Sequence, residues 1–150
     1  MPQPDRWFED LRQGEVAEFG DHLMTEAEIL EFARRFDPQP FHVDAGAARE
    51  SIYGGLIASG WHTGSAMMRM LVDHWLPRSS MGSPGLEQVR WLRPVRPGDR
   101  LSVRVTIRET RLSQSRPGLG IATYLTEVLN QDRETVMSLL GTGLFRCRPA

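Results

Sequence analysis

The sequence predicts an α+β fold in which an antiparallel sheet meets one buried helix. Helical patterns occupy the first half of the 150 residues, and strand patterns occupy most of the second half. Helices followed by a run of strands are typical of this class. One long helical segment in the middle of the chain is apolar around most of its circumference, as expected of a buried helix. The length predicts a single domain spanning residues 1–150, with its core over about residues 14–147.

A short strand is predicted at residues 15–19, and a helix follows it. Thr25 and Glu28 form a capping box, in which each side chain accepts a hydrogen bond from an otherwise unpaired amide. Pro38 ends the helix, because proline disfavours the helical conformation in the residue before it. The predicted apolar face, at positions i, i+3, i+4 and i+7, consists of Ile29, Phe32, Ala33 and Phe36.

Two further helices are predicted before the strands begin. Residues 38–40 are expected to be irregular, and Asp44 can cap a short helix that extends to residue 50. A longer helix begins near Ser59 and Gly60 and ends at Pro77. Its apolar residues include Trp61, Met67, Met68, Met70, Leu71, Val72 and Trp75.

After residue 85 the pattern changes to a period of two. The clearest strand is 101–107, where Leu, Val, Val and Ile alternate with polar residues. Further strands are predicted at 86–92, 121–129 and 135–145. A proline-rich segment at 93–98 and a hairpin turn at 130–133 connect them.

Composition excludes several kinds of chemistry. All 18 basic residues are arginine, and Cys147 is the only cysteine. Without lysine the chain cannot form a Schiff base, and with one cysteine it cannot build an intrachain disulfide or a cysteine-cluster metal site. A net charge of −1 argues against a nucleic-acid partner. With no signal peptide near the N-terminus and no apolar run of about 20 residues, we expect a cytoplasmic protein without a membrane partner.

The segment from Asp37 to His42 is the strongest candidate for chemistry. A carboxylate and an imidazole that reach one water molecule can share the proton transfers of adding or removing water. The neighbouring prolines would hold both groups in place at little entropic cost. On spacing alone, however, a helix-ending Asp with a structural His is the preferred interpretation.

Three motifs resemble the MaoC-like family. Asp37-x-Gln39-Pro40-x-His42-x-Asp44 is similar to its hydratase signature, Asp-x-Asn-Pro-x-His-x-Asp. Residues 54–60 resemble the glycine-ended entry to its central helix, and residues 93–99 resemble its connection between strands. The resemblance covers roughly residues 25–145. It implies the hot-dog fold, in which a curved antiparallel sheet wraps a long central helix, usually in a homodimer with sites at the interface.

The resemblance to this family, which is similar to R-specific enoyl-CoA hydratases, also implies an activity. Water would add reversibly to a trans-2-enoyl thioester of CoA or an acyl carrier, as in fatty acid metabolism, without a metal or other cofactor. Asp37 and His42 would be the acid–base pair, and the Gly60 N–H would polarise the thioester carbonyl. Further substrate contacts are expected from Ser59, Gln39, Trp61 and Ser65. Trp61 and Ser65 are also suited to packing of the helix.

Three residues depart from the family pattern. Gln39 stands in place of Asn, Phe36 in place of a frequent Gly, and Ser59 in place of a frequent His. Two alternatives remain: a thioesterase, which would use the same helix-end amide but direct water at the carbonyl, and a non-catalytic acyl-binding or dimerisation module, which the changes at Gln39 and Ser59 leave open. His62 is predicted to be a hydrogen-bonded structural residue, and the histidines lack the spacing of a metal site.

Overall fold

The computed structural model describes residues 5–150. A single 3-10 turn at Phe8–Asp10 precedes the longer elements. In chain order these elements are β1 (Val16–Leu23), α1 (Glu26–Phe36), α2 (Pro40–Val43), α3 (Ala45–Arg49), α4 (Gly60–His74), β2 (Gly85–Trp91), β3 (Arg100–Leu112), β4 (Leu119–Leu129) and β5 (Thr135–Arg146).

The strands form one five-stranded sheet in the order β1-β3-β4-β5-β2, and all of these pairings are antiparallel. β1 and β2 are therefore the edge strands. α4 packs across β1 and β3, so the predicted α+β architecture of a sheet against a long helix is confirmed. In the described part of the chain, no helix is both long and apolar enough to cross a bilayer.

The core lies between the sheet and one face of α4. Alternate residues of β3 are almost completely buried, as the period of two predicts. The buried apolar residues of α4 that face them include Ala66, Met67, Met70 and Leu71. The expectation that α4 is buried around most of its circumference is wrong in extent, since Trp61 and Met68 are 66% and 44% exposed. The sheet covers one side of the helix and leaves the other uncovered.

Two expectations for α1 also need correction. Thr25 accepts a hydrogen bond from the Glu28 amide at 3.1 Å, but the Glu28 carboxylate binds His22 and His62, so the capping box is only half formed. Phe36, predicted on the apolar face, is 64% exposed. It lies in the last turn of the helix, where its ring contacts Phe32 and the Arg35 guanidinium rather than the core.

Several helix and strand boundaries differ from the predicted ones. β1 continues to Leu23 because the irregularity between Phe19 and His22 shifts its register without ending it. Gly20, with φ of +90°, provides that bulge. Residues 38–40 are not wholly irregular, since Pro40 begins the short helix α2. Proline suits the first helical position because the amide that it lacks would have no intrahelical acceptor there.

Candidate active site

A cavity of about 470 Å³ lies beside the N-terminus of α4. Asp37, Gln39, His42, Gly60 and Trp61 line it, so most of the predicted site residues are brought together. The rest of the wall is mainly aromatic and aliphatic and includes Phe41, Tyr53, Ile57, Trp91, Leu92 and Val95.

Asp37 stands immediately after α1, where its carboxylate turns toward α4. One oxygen, Oδ1, accepts a hydrogen bond from Gln39 Nε2 at 2.8 Å. The other, Oδ2, accepts one from Ser59 Oγ at 2.7 Å. Burial raises the pKa of Asp37, but these two hydrogen bonds and the nearby His42 outweigh burial and hold the pKa below its usual value. Asp37 is therefore a carboxylate at neutral pH.

His42 is buried on α2 and has a defined orientation. Its Nδ1 lies 2.8 Å from the Ile57 carbonyl oxygen. Because a carbonyl only accepts hydrogen bonds, Nδ1 carries the proton of the neutral ring and Nε2 keeps its lone pair. Nε2 lies 3.3 Å from Asp37 Oδ2. A proton taken up at Nε2 would thus be stabilised by the adjacent carboxylate.

Gly60 is the first residue of α4, at the positive end of the helix dipole. The His62 amide already donates to the Ser59 carbonyl at 3.0 Å, whereas the Gly60 amide, at the start of the helix, has no intrahelical acceptor and is able to bind an oxygen in the cavity. The indole of Trp91 packs directly on this residue, and its Nε1 donates a hydrogen bond to the Gly60 carbonyl at 2.8 Å. A Cβ at position 60 would lie 2.6 Å from the indole ring. Only glycine fits there without a shift.

Ser59 and Ser65 do not line the cavity. Ser59 is fully buried behind Asp37. Ser65 is exposed on α4, and its hydroxyl donates to the Trp61 carbonyl one turn earlier at 2.8 Å. The structure therefore brings Ser59 to the acid–base pair rather than to the open space, and leaves Ser65 outside.

His62 has the contacts expected of a structural histidine. It is buried, stacks on Phe32 with 4.8 Å between ring centroids, and its Nε2 lies 3.1 Å from Glu28. His22 Nε2 lies 2.7 Å from the same carboxylate. Burial lowers the pKa of His62, and Glu28 offsets this only in part. Within residues 5–150, no group of three His, Cys, Asp or Glu side chains is arranged to hold a metal ion.

Trp91 is the main feature of the cavity that the sequence did not reveal. In the sequence it is one apolar residue of a predicted strand, and its contact with Gly60 joins positions 31 residues apart. Its position shortly before the segment 93–99 was the only indication in the sequence that it could lie near the site. Arg93 also lines the cavity, where it pairs with Glu134 at 3.0 Å.

Comparison with known proteins gives a family for this geometry. Residues 11–128 match the family described as MaoC like domain. The chain belongs to the MaoC-like domain family. Within that family, it is 31% identical over 112 residues to the protein MaoC of Klebsiella aerogenes, covering 74% of this chain but only 33% of the relative. It is 28% identical to the uncharacterised protein YdeM of Bacillus subtilis, covering 83% of this chain and 87% of YdeM.

Solved structures of other proteins share the fold of this chain. A MaoC-like dehydratase from Rhodospirillum rubrum is 40% identical, with a TM-score of 0.91 over 97% of this chain and 99% of the other. The R-hydratase PhaJ1 from Pseudomonas aeruginosa is 24% identical, with a TM-score of 0.76 over 95% and 86%. A Mycobacterium tuberculosis protein with a double hotdog fold is 15% identical, with a TM-score of 0.82 over 97% and 45%. The MaoC-like chain therefore has the predicted hot-dog fold.

Proposed function

We propose that this chain is a hydratase or dehydratase that reversibly adds water to a trans-2-enoyl thioester and forms a 3-hydroxyacyl thioester. The observation that carries the proposal is the meeting of Asp37, His42 and Gly60 on one cavity. Membership of the MaoC-like family supports it, as does the dehydratase named among the similar structures.

The contacts suggest how the pair divides the work. In hydration, the water oxygen bonds to the β carbon while one water proton moves to His42 Nε2, and the His42 imidazolium then returns this proton to the α carbon. Asp37, ionised and held by two hydrogen bonds, orients the water and stabilises the imidazolium. Dehydration runs the same steps in reverse.

The thioester carbonyl would lie at the start of α4. As water adds, negative charge develops on this oxygen, and the Gly60 N–H at the helix N-terminus would stabilise it. The aromatic wall suits an apolar acyl group. We infer that the substrate is an acyl thioester of CoA or a carrier and that no metal or other cofactor takes part. The proposed compartment is the cytoplasm.

An assay of purified protein against a panel of trans-2-enoyl-CoA esters tests the proposed reaction. We expect loss of the conjugated enoyl absorbance without release of free thiol. Thiol release would identify a thioesterase instead. No turnover at any chain length would contradict an enzymatic role and favour an acyl-binding module.

We also propose that the chain forms a homodimer through the uncovered face of α4 and the neighbouring free edge of β2. Exposed apolar side chains mark both elements: Trp61 and Met68 on α4, and Leu86 and Trp91 on β2. Large exposed apolar patches are typical of protein interfaces.

Met68→Asp is therefore expected to lower the sedimentation coefficient from that of a dimer to that of a monomer. Leu112→Asp, an equivalent change at an exposed residue of β3, should leave the dimer intact; an identical effect of both changes would contradict this interface.

A further inference from the structure

The strongest unexplained feature beside the acid–base pair is the surroundings of the Asp37 carboxylate. Each of its oxygens accepts a hydrogen bond from a neutral side chain, Oδ1 from Gln39 and Oδ2 from Ser59. These donors occupy two of the positions at which the motif departs from the family pattern. The two departures thus contact the same carboxylate, one at each oxygen.

Ser59 is the better placed of the two donors. It has no exposed surface, whereas Gln39 is exposed, so its hydrogen bond is shielded from competing water. A hydrogen bond to an ionised group is about twice as strong as one between neutral groups. Ser59 therefore restrains Asp37 without itself reaching the cavity.

The restraint has a geometric consequence for His42. Asp37 Oδ2 is shared, because it accepts the Ser59 bond and also lies 3.3 Å from His42 Nε2. The Ile57 carbonyl fixes His42 from the opposite side of the ring at 2.8 Å. With one partner anchored by Ser59 and the other by Ile57, the distance between the two reacting groups is set by the fold.

We propose that Ser59 is a positioning residue: its buried hydroxyl fixes the Asp37 carboxylate against His42, and Gln39 fixes the second oxygen. This inference rests on the proposed hydratase function and assigns Ser59 to the acid–base pair rather than to the substrate. Ser59 does not touch the acyl thioester, so its removal should lower kcat and leave KM nearly unchanged.

The titration of Asp37 gives a readout that a purely structural role would not move. Within residues 5–150, His42 is the titratable side chain that faces Asp37; the two donors to its carboxylate, Gln39 and Ser59, are neutral. The carboxylate is the working form, and the Ser59 hydrogen bond stabilises it. Removing that hydrogen bond should therefore raise the pKa of Asp37 toward its usual value. Stability follows the same sign, since the contribution of Asp37 is lost as pH falls through its folded-state pKa.

The test compares Ser59→Ala with Ser79→Ala. Ser79 is likewise buried and loses a hydrogen bond of the same length, 2.7 Å to the Arg6 carbonyl, but it lies away from the cavity. We expect Ser59→Ala to lower kcat by about 10- to 100-fold, as small misplacements of reacting groups do, and to leave KM nearly unchanged. Ser59→Cys, with a weaker donor of similar size, should fall between wild type and Ser59→Ala. Equal kcat and KM values for the two alanine variants would overturn the proposal.

A second measurement separates this inference from the proposed reaction. Carbon NMR titration of the Asp37 carboxyl group reports its pKa without any turnover. A higher Asp37 pKa in Ser59→Ala, and not in Ser79→Ala, supports the positioning role even if no enoyl thioester is hydrated. Normal hydration by the wild type with an unchanged Asp37 titration in Ser59→Ala would instead retain the function and reject the role of Ser59.

Discussion

Asp37→Asn is expected to lower kcat for hydration of enoyl thioesters by about 10²- to 10⁴-fold, the usual contribution of an acid–base group. The amide has the size of the carboxylate, but it is uncharged and cannot stabilise a proton on His42 Nε2, 3.3 Å away. The measurement is the initial rate of enoyl absorbance loss, with the unfolding temperature followed by circular dichroism.

Asp44→Asn provides the matched control. Asp44 belongs to the same motif, but its carboxylate is exposed and caps α3 by accepting bonds from the Gly46 and Ala47 amides. Asparagine caps a helix about as well as aspartate, so this variant should keep its activity and its fold. Full activity in Asp37→Asn would remove Asp37 from the mechanism.

Gly60→Ala is expected to lower kcat/KM by 10²-fold or more, at roughly 2.7–4 kcal/mol for a lost oxyanion donor. The new methyl group would lie 2.6 Å from the Trp91 indole, so the first turn of α4 or the ring must move. Either movement displaces the amide that would bind the thioester oxygen. Overpacking should also reduce the free energy of unfolding by about 1–3 kcal/mol.

Gly64→Ala, in the next turn of the same helix, separates the two effects. A Cβ at position 64 would meet Met137 Cε at 3.5 Å, an ordinary contact. Alanine also favours the helix over glycine by about 0.8–1 kcal/mol. Gly64→Ala should therefore be active and at least as stable as wild type. If Gly60→Ala kept the full rate after such a control, the proposed oxyanion role of Gly60 would be wrong.

Much of the fold follows from local patterns. β3 was predicted because one face is buried and the other wet, which imposes a period of two on its side chains. The start of α1 was predicted because Thr25 caps it. The errors have tertiary causes. The Glu28 carboxylate does not complete the capping box because it contacts two histidines, one from β1 and one from α4. Likewise, no local pattern shows that the sheet covers only one side of α4.

The site was less accessible to local reasoning. Spacing alone left Asp37 and His42 open to a structural interpretation, and the resemblance of the motif supplied the chemical hypothesis. Their distance of 3.3 Å depends on anchoring by Ser59 and Ile57, which lie 22 and 15 residues away from Asp37 and His42 respectively. The approach of Trp91 to Gly60 likewise joins residues 31 positions apart. The hydroxyl of Ser59 points to Asp37 rather than to a substrate. No pattern in the sequence distinguishes these two orientations. Contacts of this kind become visible only when the sheet and α4 are in place.

The indole of Trp91 belongs to two parts of the molecule at once, the open edge of the sheet and the first turn of α4. Any chain that pairs with this edge would also restrict the indole, and the indole in turn restricts the peptide at Gly60. The free energy of association at the edge would then depend on whether a ligand occupies the cavity, and one coupling free energy would link the two events. Such coupling is reciprocal: a ligand that orders the helix start would strengthen pairing at the edge by the same factor by which pairing strengthens ligand binding.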